Sequence, residues 1–222
     1  MWPSLVLAAM LTLGASTASA ASLRYLALGD SYTIGEGVDA EQRWPEQLAR
    51  GLRAAGLPVA PPRILARTGW TTDELAAAMD AAEPLGEWDL VSLLIGVNNQ
   101  YRGRSPEAFE GEFRALLRRA IGLAGQRPGR VLVLAIPDWG VTPFAAGRDR
   151  ARIAAELDAY NAVVARVARE SGAAFVDISA LSRRRGGEPA MLAADGLHPS
   201  AALYALWTEA ALPVARRMLE PD

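Results

Sequence analysis

Five short apolar runs alternate with helix-spaced segments, and this alternation limits the fold more than any other feature of the chain. The runs are Tyr25–Leu28, closed by Gly29; Ile64–Ala66, leading into Thr68-Gly69-Trp70; Leu90–Ile95, closed by Gly96; Val131–Ile136, ended by Pro137; and Ala173–Ile178. Runs this short, with no polar residue at every second position, read as strands buried on both faces of a parallel sheet. Between them, Trp44, Leu48 and Leu52 recur at helical spacing before Gly56, and Leu75 and Met79 follow Thr72. Ser105-Pro106 opens a third helix with Phe109, Phe113, Leu116 and Ala120 on one stripe. Ile153, Leu157, Tyr160, Val164 and Val167 mark a fourth, and a last helix starts near Ser200 with Pro213 as a kink. Strand–helix alternation of this kind predicts one α/β domain, a five-stranded parallel sheet between two helical layers.

The strand order 2-1-3-4-5 is one of the common solutions for such a sheet, and its switch point lies between strands one and three. Ligands bind there, outside the carboxyl ends of the strands. Ser31 follows the first strand and Asn98 the third, each two residues past a strand-closing glycine. In that order they flank one crevice. Ser31 also fits a plain helix cap.

Composition narrows the chemistry. The chain has 222 residues, 51% of them hydrophobic, which suits one globular domain with a sizeable core. A net charge of -2 gives no field that calls for nucleic acid or an anionic membrane. Every basic side chain is Arg, so Schiff-base chemistry and a P-loop lysine are excluded. The absence of Cys excludes disulfides, thiolate catalysis, thiolate zinc sites and a lipidated cysteine. With one His, there is no second imidazole for a proton relay or a His-pair metal site.

Residues 1–20 read as a signal peptide. Leu5–Leu13 is apolar but short for a membrane span, and Ala18-Ser19-Ala20 has the small-residue pattern of a cleavage site. The expected result is an exported protein, periplasmic or extracellular, whose domain occupies 21–222 and has no membrane span after cleavage.

Cleavage of an ester or amide through serine needs a nucleophile, a base oriented by a third group, and donors for the oxyanion. Ser31 is the candidate nucleophile and His198 the one available imidazole. Asp195, three residues earlier, can accept the Nδ1 proton. The Gly69 N–H, the Asn98 amide and the Ser31 N–H are candidate oxyanion donors. Taken singly, His198 also fits a surface residue, Asp195-Gly196 a turn, and Gly69 a bend.

Together and in this order, these blocks resemble the SGNH hydrolases, the GDSL-type esterases and lipases. The first block is Gly29-Asp30-Ser31-Tyr32, with Tyr where the name motif has Leu; the second supplies Gly69. The third, usually G-x-N-D, is Gly96-Val97-Asn98-Asn99, and the last, D-x-x-H, is Asp195-Gly196-Leu197-His198. The resemblance implies a flavodoxin-like α/β/α sandwich that hydrolyses small acyl esters without a cofactor or a metal. Carried over, Ser31 attacks, His198 is the base, Asp195 orients it, and Gly69 and Asn98 complete the oxyanion hole. Asn99 and Tyr32 are the two departures. The ester could be a lysophospholipid, a thioester or an acetylated sugar; a flavodoxin-like binding module is the non-enzymatic alternative. Oligomeric state is not legible. There is no G-x-S-x-G elbow, and Gly35-Glu36-Gly37 is only half of a dinucleotide fingerprint.

The longest irregular connection, Asp138–Gly147, follows the fourth strand and carries Trp139, Val141, Pro143 and Phe144. Trp139 and Phe144, joined by Trp70 and Tyr101, are the expected apolar wall for the acyl group. Their alternative is a solvent loop packed back on the core.

Overall fold

The computed structural model describes residues 22–220. The expected signal peptide and its cleavage site lie outside the described residues.

β1 (Tyr25–Gly29) runs into a single helical turn, α1 (Ser31–Ile34), and then α2 (Trp44–Ala54) and β2 (Arg63–Ala66). α3 (Thr72–Ala81), β3 (Leu90–Leu94), α4 (Val97–Tyr101) and α5 (Pro106–Leu123) follow. β4 (Val131–Leu134), α6 (Arg150–Glu170), β5 (Ala174–Val176), α7 (Ser179–Arg185) and α8 (Ala201–Leu219) complete the chain. All strand pairs are parallel, and the order is β2-β1-β3-β4-β5. α2 packs with α8 on one face, while α3, α5 and α6 pack side by side on the other. The right-handed crossover rule puts α2 on the opposite face from α3, α5 and α6, because only the β1–β2 connection runs toward the β2 edge; α8, which follows the last strand, joins α2 by packing.

Every residue of β1, β3 and β4 is buried, as continuous apolar runs require when helices cover both faces. The helices bury the predicted stripes: Trp44, Leu48 and Leu52 on α2, and Ile153, Leu157, Tyr160, Val164 and Val167 on α6. Ser105 caps α5 by accepting the Ala108 N–H at 3.2 Å. Three short helices, α1, α4 and α7, have no apolar stripe long enough to be seen in sequence. Asp30, not Ser31, caps α1, accepting the Tyr32 N–H at 3.1 Å. Thr71, one residue before the expected start, caps α3 in a reciprocal pair with Glu74.

β4 ends sooner than its apolar run. Ile136 leaves the ladder before Pro137 because the Asn161 side chain takes its N–H at 2.7 Å and donates to its carbonyl at 2.9 Å. α8 is continuous through Pro213, whose ring is exposed.

Candidate active site

β1 delivers Ser31 to the carboxyl edge of the sheet. α1 lasts one turn and closes at Gly35 in the left-handed region (φ 72°), so the serine stays at the edge. Asp30, which sets that turn, is fully buried. Burial pushes its carboxyl up to about 7, against the opposing hydrogen bond from Tyr32. Gly69, on the β2–α3 loop, has φ +88°, and a Cβ there would meet nothing within 4 Å. Glycine is thus required by the backbone conformation, and open space lies beside it.

α4 brings Asn98 to the same edge. Its Nδ2 donates to the Trp70 carbonyl at 2.9 Å, which leaves one N–H of the amide for another acceptor. The turn that places Asn98 starts at Gly96 (φ +127°), where a Cβ would strike Ile136 and Phe109 at 2.8 Å.

His198 comes from the turn before α8. Its Nδ1 stands 2.5 Å from Asp195 Oδ2, while Asp195 Oδ1 accepts the N–H groups of Leu197 at 2.9 Å and His198 at 3.0 Å. Burial works to raise the Asp195 carboxyl, but His198 and these two N–H groups outweigh it and hold it below its ordinary value. Tyr32 packs in T-shaped fashion with the imidazole, ring centroids 5.7 Å apart, and with Trp207 at 5.9 Å. The departure at position 32 therefore supplies an apolar backing for the histidine.

Ser31, Gly69, Asn98 and His198 line one cavity of about 190 Å³. Tyr101, Trp139 and Phe144 form its aromatic side, packed on each other at 5.5–6.3 Å. The Asp138–Gly147 segment is two 3-10 turns, and its backbone is tied to the histidine turn by Phe144 N–H donating to the Gly196 carbonyl at 3.2 Å. Arg148 lies across the outside of this wall, 5.2–5.4 Å from all three ring centroids.

Trp70 departs from expectation. Its side chain packs half-buried against the core and is not among the cavity residues; its carbonyl, through Asn98, is what serves the site. Tyr32, the departure in the first block, also lines the cavity, as do Thr68, Val97 and Leu197, which the sequence does not mark as site residues. Each lies beside a motif residue, and that adjacency was the available signal. Among the described residues, no group of three or more His, Asp or Glu side chains is placed to hold a metal, and no helix is long and apolar enough to cross a membrane.

The sequence profile of the GDSL-like lipase/acylhydrolase family matches residues 27–206. A comparison with curated proteins finds no match. Among solved structures, that of TesA superposes with a TM-score of 0.70 at 23% identity, covering 88% of this chain and 99% of that one. The lipase/acylhydrolase from Enterococcus faecalis gives 0.68 at 22% identity, over 90% of this chain and 99% of that one. The acetylxylan esterase Axe2 from Geobacillus stearothermophilus gives 0.66 at 22% identity, over 90% and 95%. At these identities the likeness shows the fold.

Proposed function

This chain belongs to the GDSL-like lipase/acylhydrolase family and is an ester hydrolase, and from that premise we propose that it is an exported serine esterase acting on short acyl esters. The observation that carries the reading is His198, held by Asp195 at 2.5 Å, on the wall of the cavity that Ser31, Gly69 and Asn98 also line.

In this reading Ser31 Oγ attacks the ester carbonyl carbon while His198 Nε2 takes its proton. Asp195 fixes the tautomer and stabilises the imidazolium. The carbonyl oxygen becomes an oxyanion that accepts from the Ser31 and Gly69 N–H groups and the free N–H of Asn98. Collapse breaks the ester C–O bond, and His198 returns the proton to the departing alcohol. Water, deprotonated by His198, then releases the acid and regenerates Ser31.

A cavity of about 190 Å³ lies below the roughly 300–1,000 Å³ of sites for drug-sized ligands, which supports a short acyl group. Acetylated sugars carry an acyl group within that limit, and one structural neighbour is named an acetylxylan esterase; lysophospholipids and thioesters with longer chains fit it less well. Export rests on the apolar run and Ala18-Ser19-Ala20, with the hydrolase domain at 21–222. N-terminal sequencing of exported protein should begin at Ala21, and an intact Met1 would count against it.

A fluorophosphonate probe followed by peptide mass spectrometry tests the chemistry. Labelling at Ser31, abolished in Ser31→Ala, is the expected result. Folded protein that takes up no label would leave a binding module as the better reading.

A further inference from the structure

Asn99 stands where the family pattern has Asp, and its surroundings give a physical reason. The side chain is fully buried, one residue beyond Asn98 on α4. Its Oδ1 accepts the Thr72 N–H at 3.1 Å, at the start of α3. Its Nδ2 donates to Thr72 Oγ1 at 2.6 Å and reaches Glu112 Oε2, on α5, at 3.3 Å. The Thr72 hydroxyl in turn donates to Glu112. Arg104 is the cation on this cluster, 3.4 Å from Glu112 and 2.6 Å from Asp73.

One orientation of the amide satisfies all three partners: oxygen toward the Thr72 N–H, nitrogen toward the hydroxyl and the carboxylate. An Asp here would still accept from the Thr72 N–H, but its second oxygen would face Glu112 with no proton between them. Two carboxylates that close cannot both ionise without large cost.

The clasp joins the two segments that carry the non-nucleophile donors, α4 and the loop before α3. α4 holds the Gly69–Thr72 segment at three points: Asn98 to the Trp70 carbonyl at 2.9 Å, Asn99 to Thr72, and Arg102 to the Gly69 carbonyl at 2.7 Å. Of these, the Asn99 contact is buried and makes bonds in both directions. We infer that Asn99 is a positioning residue that sets the spacing between the Gly69 N–H and the Asn98 amide, and that Glu112 is the reason this position carries an amide. The inference rests on the oxyanion roles proposed above for Gly69 and Asn98.

The test is a swap of amide and carboxylate, with kcat and KM measured on a short p-nitrophenyl ester. Asn99→Asp should lower kcat about tenfold or more with KM within about threefold, since misplaced donors weaken the transition state more than the ground state. Glu112→Gln alone should stay within about threefold of native. The double variant Asn99→Asp/Glu112→Gln should recover most of the lost kcat, because carboxylate and amide have exchanged places. A native kcat in Asn99→Asp, or no recovery in the double variant, would overturn the inference. If Asn99→Asp does not fold, Thr72→Ala removes the bridging hydroxyl but keeps the N–H; it should lower kcat severalfold, and a native kcat there is equally decisive against it. Asn98→Ala separates the two readings. A native kcat in that variant refutes the oxyanion assignment itself, whatever the swap shows.

Discussion

Removing the Asp138 carboxylate should loosen the aromatic wall by an amount the structure lets one work out. Asp138 is 3% exposed and caps the turn that carries Trp139, accepting the Gly140 N–H at 2.8 Å. Its other oxygen accepts Arg183 Nε, also at 2.8 Å. Asp138→Ala leaves a buried Gly140 N–H unpaired, at about 1–3 kcal/mol. It also removes a charge-assisted bond worth about 1.5–3 kcal/mol, a figure to be discounted because Arg183 is one-third exposed and keeps Asp158. The sum is about 2–4 kcal/mol, or a fall in Tm of about 5–15 °C for a domain of this size. Asp138→Asn keeps an oxygen for Gly140 and turns an amide toward Arg183, so its loss should be about half as large. Since Trp139 and Phe144 are walls and not reacting groups, KM for a short ester should rise severalfold with kcat little changed. Calorimetry and initial rates on both variants are the assay. A Tm shift under about 3 °C in Asp138→Ala, with native KM, would refute the claim that this capped turn holds the wall.

Ser31→Ala and His198→Ala should each lower turnover by several orders of magnitude, and the double variant should fall little further, because the pair acts as a unit; losses that multiply would contradict the assignment. Asp195→Asn should fall less than either. Across p-nitrophenyl esters, kcat/KM should rise about fourfold per methylene, the equivalent of about 0.8 kcal/mol, until the cavity is full and then drop. A preference for palmitate with activation only above its critical micelle concentration would show a far larger site. Asp30, pushed up to about 7 by burial, keeps in the fold a proton that the unfolded chain releases near pH 4. Stability should therefore fall as pH rises from about 4 to 7, and Asp30→Asn should remove that slope. Urea midpoints at pH 5 and 8 measure it; parallel midpoints for native and variant protein would refute it.

What could be read from the chain, and what could not, divides along a physical line. β1 with Gly29, the helix capped by Ser105, and the Asp195–His198 pair are local: the partners lie within a few residues, and periodicity or spacing reveals them. The strand order was legible because chirality and layer rules leave few choices. For Trp70 the sequence cannot tell side chain from backbone: position beside Gly69 says nothing about which way an indole turns, and it is the carbonyl that faces the site. α7 has three arginines in its last turn and no apolar stripe, so periodicity does not mark it, although Arg183 bridges to Asp138. The Asn99–Thr72–Glu112 cluster joins three elements far apart in sequence, and no one-dimensional pattern marks such a meeting.

The site draws its serine from the turn after the first strand and its histidine from the turn before the last helix. The histidine turn leads directly into α8, which packs on α2. If the proposed serine and histidine carry the reaction, hydrolysis reports when the two ends of the domain have come together. In a refolding experiment, the return of turnover should coincide with the final consolidation of the α2–α8 layer, later than the appearance of secondary structure. During synthesis, the nascent enzyme should remain inert until its last helix has left the ribosome, whatever the state of the sheet before then.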